Sequence, residues 1–160
     1  MKQLIDNVIK WAEDRNLISI DNVDKQYCKC VSELGEFADA IIKGDVDAQK
    51  DGAGDFIVTL IIMAKQLDFD NTEIKDLFKY LNKNIDYEAS KIIPWITDSL
   101  PKLLMTRTKQ WQLLYLIKIL EYTYWAINNL GHTPKECLEV AWNEIKDRKG
   151  KTINGNFIKE

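Results

Sequence analysis

The sequence holds one histidine, three cysteines and three prolines in 160 residues. His132 follows Gly131 at a helix break, and no Cys or His stands at ligand spacing from it. A zinc site is therefore not expected, and His132 reads as a turn residue. Cys28 and Cys30 lie two apart, so on a helix they point different ways. An odd number of cysteines fits a reducing compartment, which makes the cytoplasm the expected location. An excess of charge is missing too: 25 acids against 22 bases leave a formal net charge of -3. That balance gives no basic face for duplex nucleic acid, though a few local bases could still hold a small anion. Long apolar runs are absent. The longest, residues 56–64, is broken only by Thr59 and is far too short to span a bilayer. The opening "MKQLIDNVIKWAEDRNL" is amphipathic and charged, unlike the apolar core of a secretion signal.

What the sequence does have is helix. Hydrophobic residues at 46% and charged residues at 29% fit one folded domain over 1–160. Apolar spacing predicts helices over residues 2–16, 24–43 and 47–67, with Asp24 capping the second and Gly44 ending it. Asn71 or Thr72 could cap a fourth helix running to about residue 83. Residues 86–106 are helical in character but carry Pro94 and Pro101, where kinks or breaks are expected. Another helix covers 108–129. In "NLGHTPKE" Gly131 stops it, Thr133 caps the next, and Pro134 takes the first position of a last helix reaching about residue 148. The tail "KTINGNFIKE" places Asn-Gly between Ile153 and Phe157, the signature of a small hairpin. The expected fold is an all-α helical bundle with that short C-terminal hairpin.

A faint internal echo runs through the chain. "AKQLDFDNTEIKDLFKYLNK" and "INNLGHTPKECLEVAWNEIK" share apolar spacing, with one residue less in the second loop. The echo suggests two helical hairpins, an ancient duplication packed as a pseudo-dimer, although amphipathic helices resemble one another by default. Under it the first half carries acids, and Ile96, Ser99 and Lys118 fall near the equivalent places in the second.

Those acids are the candidate site. On the second helix, Tyr27, Cys30, Val31, Leu34, Phe37, Ala38, Ile41 and Ile42 form a broad apolar face. Gln26, Lys29, Glu33 and Glu36 share an arc of roughly 80° at its edge, taking about 100° per residue. A solvated flank with a Lys29–Glu33 pair would explain this ridge alone. The third helix adds Asp51 and Asp55, one turn apart, directly before a stretch that is apolar all round. Acids near a helix N-terminus are favoured by its dipole, but Asp55 already lies well inside. A partly buried, unpaired carboxylate costs several kcal/mol, so a positive charge is expected to face it. A hairpin of these helices would gather Glu33, Glu36, Asp51 and Asp55. All-oxygen ligation then points to a hard ion, Mg²⁺ or Mn²⁺. Gly52 and Gly54 either leave room above the acids for a ligand or allow close helix packing.

With these residues in place, the chain resembles the all-α nucleoside triphosphate pyrophosphohydrolases, in particular the short MazG-like proteins of phages and low-GC bacteria. The matching pieces are "LIDNVIKWAEDRNL", "KQYCKCVSELGEFADAIIKGD", "DGAGDFIVTLIIMAKQL" and "CLEVAWNEIKDRKGKTINGNFIKE". The family pattern is an EExxE helix followed by an ExxD helix. Glu33 and Glu36 match the last two acids of the first motif, and Asp55 matches the end of the second. Ser32 replaces the leading Glu, and Gly52 stands where the second motif has its Glu, with Asp51 one residue earlier as a substitute. The resemblance covers about 1–67 and 130–160. Residues 68–129 look like an inserted second hairpin, similar to the tandem arrangement of the dimeric dUTPases in the same superfamily.

The resemblance implies hydrolysis of a nucleoside triphosphate, dNTPs foremost, to a monophosphate and pyrophosphate. Glu33, Glu36, Asp51 and Asp55 would hold Mg²⁺, or Mn²⁺, and Glu36 or Glu33 would take the water proton. Asn143, Lys146 and Arg148 on the last helix match a family cluster that meets the polyphosphate, with Lys29 and Gln26 as further candidates; bases in a final helical turn also complement the dipole with no ligand. Trp142 could stack a base, while Trp11, Trp95, Trp111 and Trp125 read as core. The resemblance also implies a homodimer or higher homo-oligomer, or, for an internal pseudo-dimer, one active site per chain. Two other readings stay open: a non-catalytic module that binds a nucleotide or a partner through a degenerate metal site, and a structural protein whose acids are a wet flank.

Overall fold

A computed structural model describes residues 1–79, 81, 85–153 and 156–159. The chain is an all-α bundle of helices α1 (Lys2–Glu13), α2 (Val23–Lys43), α3 (Val46–Gln66), α4 (Asn71–Leu77), α5 (Ala89–Met105), α6 (Lys109–Asn129) and α7 (Pro134–Ile145), with a short 3-10 turn at Ile20–Asn22. Strands β1 (Gly150–Ile153) and β2 (Asn156–Lys159) pair antiparallel, with Ile153 opposite Asn156. The Asn154-Gly155 pair expected to turn this hairpin lies outside the described residues. No helix among the described residues is long and apolar enough to cross a membrane.

Helix α3 is the axis of the bundle. Every residue from Phe56 to Ala64 is buried, as a helix apolar on all sides requires. It packs against α1, α2, α4, α6 and α7, while α5 and α6 form a hairpin of their own. The aromatic rings of Trp95 and Tyr122, 5.6 Å apart, join α5 to α6.

Local chemistry sets the ends. Gly44 (φ +66°) and Gly131 (φ +82°) take the left-handed conformation at the stops. Asp45 caps α3 by accepting from Ala48 N, Thr108 caps α6 through Trp111 N, and Thr133 caps α7 through Glu136 N.

Several expected details differ. Asp24 lies in the first turn of α2 instead of capping it; Asn22 holds that position without a side-chain bond. The cap of α4 is Asp70, in a capping box with Glu73, and not Asn71 or Thr72. That helix ends at Leu77, well short of residue 83. Helix α5 runs unbroken through Pro94 and Pro101. The prolines deprive the carbonyls of Ser90 and Thr97 of a donor, but both residues reach solvent, which can replace it. Trp111 is not core: it is 53% exposed. It lies opposite the buried Leu116 and Leu120, and with Leu113, Leu114 and Ile117 lines a shallow groove of about 350 Å³.

Candidate functional site

The geometry of the acids starts from two glycines. A Cβ at Gly52 would sit 2.9 Å from the backbone N of Phe37 on α2. A Cβ at Gly54 would overlap the Cys137 carbonyl oxygen and lie 2.9 Å from the Ala141 Cβ on α7. Of the two roles open to these glycines, close packing is therefore the one that acts. The chain brings α2 against one side of α3 and α7 against another, within the turn that carries Asp51 and Asp55.

The buried face of α2 is turned toward the acid ridge. Cys30, Leu34, Phe37 and Ala40 are buried together with Gln26 and Glu33. Val31 and Ile42, expected on the apolar face, are exposed instead. Glu33 thus lies inside the bundle, 3% exposed, and forms an ion pair with Lys29 one turn earlier. Glu36 stays on the exposed rim.

Asp51 and Asp55 are half-buried. Oδ1 of Asp51 is removed from solvent and has no hydrogen-bond partner. Burial pushes the Asp55 carboxyl up to about 7, helped by the negative charges of Glu33 and Asp51, with Arg148 acting in the opposite direction and Glu144 adding to the rise. Asp51 is raised as well, by burial first and then by Glu144, Glu33 and Glu36 against the pull of Arg148. Two helix partners of α3 therefore place Glu33 and Glu144 in the field of both Asp51 and Asp55, and Glu36 in that of Asp51.

Glu144 escapes the reading of the sequence. Its signal was the i,i+4 spacing to Arg148, and the two pair at 2.8 Å. Arg148 is held further by its backbone oxygen, which accepts from the Arg15 guanidinium at 2.6 Å. The Arg15 carbonyl in turn accepts from the Thr152 hydroxyl, which ties the hairpin to the end of α1. Trp11 donates to the Ile145 carbonyl at 2.8 Å and fixes the last turn of α7.

The remaining candidates divide. Asn143 and Lys146 are exposed near the same end of α7 and bond to each other at 2.8 Å. Gln26 is buried, and its amide donates to the Thr59 carbonyl at 2.9 Å, a clamp between α2 and α3. Trp142 packs on the core, partly buried. His132 is more than a turn residue: it is buried, with Nε2 3.2 Å from Gln49 Oε1. Glu136 lies 3.7 Å from its other nitrogen, so His132 bridges the starts of α3 and α7.

The donor set is oxygen only, and it carries more negative charge than Lys29 and Arg148 offset. A buried carboxylate oxygen without a donor is the deficiency a hard divalent cation would remedy. The residues present fit such an ion in kind. As placed, no group of three or more acid, cysteine or histidine side chains among the described residues is close enough to hold one.

No protein-family model matches the chain, and no solved structure matches it. Over 71 residues it is 41% identical to an "uncharacterized 18.2 kDa protein in rep-hol intergenic region" of Haemophilus phage HP1. The match covers 44% of this chain and 44% of the phage protein, so the chain spans less than half the length of that relative.

Proposed function

We propose that this chain is a Mg²⁺-dependent nucleoside triphosphate pyrophosphohydrolase, acting on dNTPs foremost and releasing a monophosphate and pyrophosphate. The observation that carries the reading is the unpartnered, buried Asp51 oxygen beside an Asp55 carboxyl pushed up to about 7. Such a pair is poorly stabilised in a protein alone and well stabilised with a cation. Glu33, Glu36, Asp51 and Asp55 would hold the ions. Bound there, divalent ions neutralise the polyphosphate and activate water at neutral pH.

The chain's own groups then have distinct tasks. Glu36, on the open rim, takes a proton from the water that adds across the α–β anhydride. Asn143 and Lys146 reach the polyphosphate from the exposed end of α7, and Arg148 lies in the field of the acids beside them. The resemblance to MazG-like proteins supports this division of labour, as does the all-α fold. A homodimeric or higher assembly and a cytoplasmic location belong to the same proposal.

A second reading has an observation of its own. The acids do not close on a common point in this structure, and Asp51 stands one residue from the family's Glu. A module that binds nucleotide without turnover would look the same. Incubation with each NTP and dNTP plus Mg²⁺, followed by a pyrophosphate assay, separates the two. Release of pyrophosphate that is lost in Glu36→Gln and Asp55→Asn supports hydrolysis. Nucleotide binding without product supports the second reading, and neither binding nor product overturns both.

A further inference from the structure

Helix α6 repeats the sequence character of α3 without its surroundings. From Trp111 to Leu120 it is apolar on all sides, broken only by Gln112 and Lys118. A helix of this kind is normally covered all round, as α3 is. Here only one side is covered. Leu116, Ile119 and Leu120 are buried, while Trp111, Leu114 and Ile117 are exposed together on the outer side. An apolar stripe of this length, one turn after another, marks an interaction surface more often than a chance of composition.

The shape of the stripe says what fits it. The groove on α6 is bounded by Gln110, Leu113, Leu114 and Ile117, with Trp111 at its margin. The first four stand at i, i+3, i+4 and i+7. Four residues in that spacing form the hole that receives one side-chain knob of a facing helix. The occupant it fits is therefore another helix.

The charges say which helix, and in which direction. Seven residues before Leu114 stands the exposed Arg107, just ahead of the Thr108 cap. Seven residues after it, two turns along, stands the half-buried Glu121. Neither enters an ion pair among the described residues. The stripe is thus basic at one end, apolar in the middle and acidic at the other. A second copy of α6 laid parallel would set Lys118 against Lys118 and Glu121 against Glu121. Laid antiparallel about Leu114, it sets Arg107 against Glu121 twice, Trp111 against Ile117 twice, and Lys118 against Gln110. Leu114 of each copy then enters the hole of the other.

We propose that two copies of this chain associate through the outer face of α6, antiparallel about a twofold axis at Leu114. This gives a surface to the assembly included in the proposed function, and it does not rest on the chemistry of the acids. The contact is a self-complementary one that closes at the dimer. Opposite charges at the two ends fix its register, and like charges reject the parallel alternative.

Sedimentation velocity over a range of protein concentrations up to about 100 μM tests the proposal, because one helix pair is a small interface with a dissociation constant of about micromolar order. Wild type is expected to be dimeric at the top of that range. Leu114→Glu is expected to be monomeric with an unchanged melting temperature, since the side chain it replaces lies outside the core. Arg107→Glu and Glu121→Arg alone are each expected to weaken the dimer about tenfold by opposing like charges. The double variant Arg107→Glu/Glu121→Arg is expected to regain the wild-type constant, which a general loss of stability would not allow. A wild type that stays monomeric, or a dimer that persists in Leu114→Glu, overturns the proposal. Single charge reversals without effect, or a double variant as weak as the singles, overturn it as well. Pyrophosphate release by a monomeric wild type would remove this surface and leave the activity, whereas a dimer of the expected kind without turnover would do the reverse.

Discussion

Gly54 of α3 rests directly on the main chain of Cys137 in α7, with no space between them for a side chain. This contact holds the helix bearing Glu144 against the helix bearing Asp51 and Asp55; α7 ends at Ile145, short of the expected residue 148, so Lys146 caps it and Arg148 lies in the segment just beyond. Gly54→Ala would force α7 outward, because the obstacle is a backbone carbonyl and not the end of a flexible side chain. The expected loss is about 1–3 kcal/mol of stability, despite the better helix propensity of Ala. Urea unfolding checks it, and an unchanged midpoint would refute the packing role.

The raised Asp55 carboxyl makes stability depend on pH in a definite direction. Its ordinary value is 3.8 and its folded value is about 7. Between these the folded protein holds a proton that the unfolded chain has released, so stability falls as pH rises through that window. Asp70, Glu73 and Glu136 are lowered and act in the opposite sense near the bottom of it. The comparison with Asp55→Asn isolates the one group. Without metal, the variant is expected to melt above wild type at pH 8 and to lose that advantage toward pH 4. Parallel melting curves over the whole range would contradict the buried, crowded position of Asp55.

Gln26 separates a structural role from a substrate role. Its amide already bonds the Thr59 carbonyl across α2 and α3. Gln26→Met leaves that buried carbonyl without the donor, at a cost of about 1–3 kcal/mol. The melting temperature should drop while the KM for the best triphosphate, corrected for folded fraction, holds. A rise in KM with unchanged stability would return Gln26 to the polyphosphate.

Much of this arrangement was legible in the sequence. The apolar residues around α3 announced its central burial, and Gly44, Gly131, Thr133 and Pro134 marked helix ends that the fold keeps. What could not be read was the rotation of α2. A helical wheel places Glu33 at the edge of the apolar face, and only the approach of Gly52 to Phe37 decides that the acid side is turned inward and Val31 outward. Trp111 was misplaced for a related reason: apolar residues surround α6, so periodicity does not say which side meets α5 and α3. Glu144 was hidden because a Glu–Arg pair at i,i+4 on a final turn is ordinary surface chemistry until a neighbouring helix brings Asp51 to it.

Glu144 and Arg148 supply the sharpest electrostatic test because their charges act on Asp55 with opposite signs. Arg148→Met removes the charge that favours the ionised carboxyl, so the Asp55 pKa should rise above its starting value. Glu144→Gln removes a repelling charge and releases Arg148 from its ion pair, so the same pKa should fall. Carboxyl ¹³C chemical shifts of Asp55 followed against pH in the metal-free protein give both numbers directly. Shifts of the same sign in the two variants would mean that burial alone sets Asp55 and that α7 contributes no electrostatic control. Opposite shifts would establish that the end of α7 sets the charge state of the acids on α3, and Mg²⁺ affinity should then change in a matching way. It should weaken in Glu144→Gln, where the freed guanidinium competes for the acids, and strengthen in Arg148→Met, where that competitor is gone.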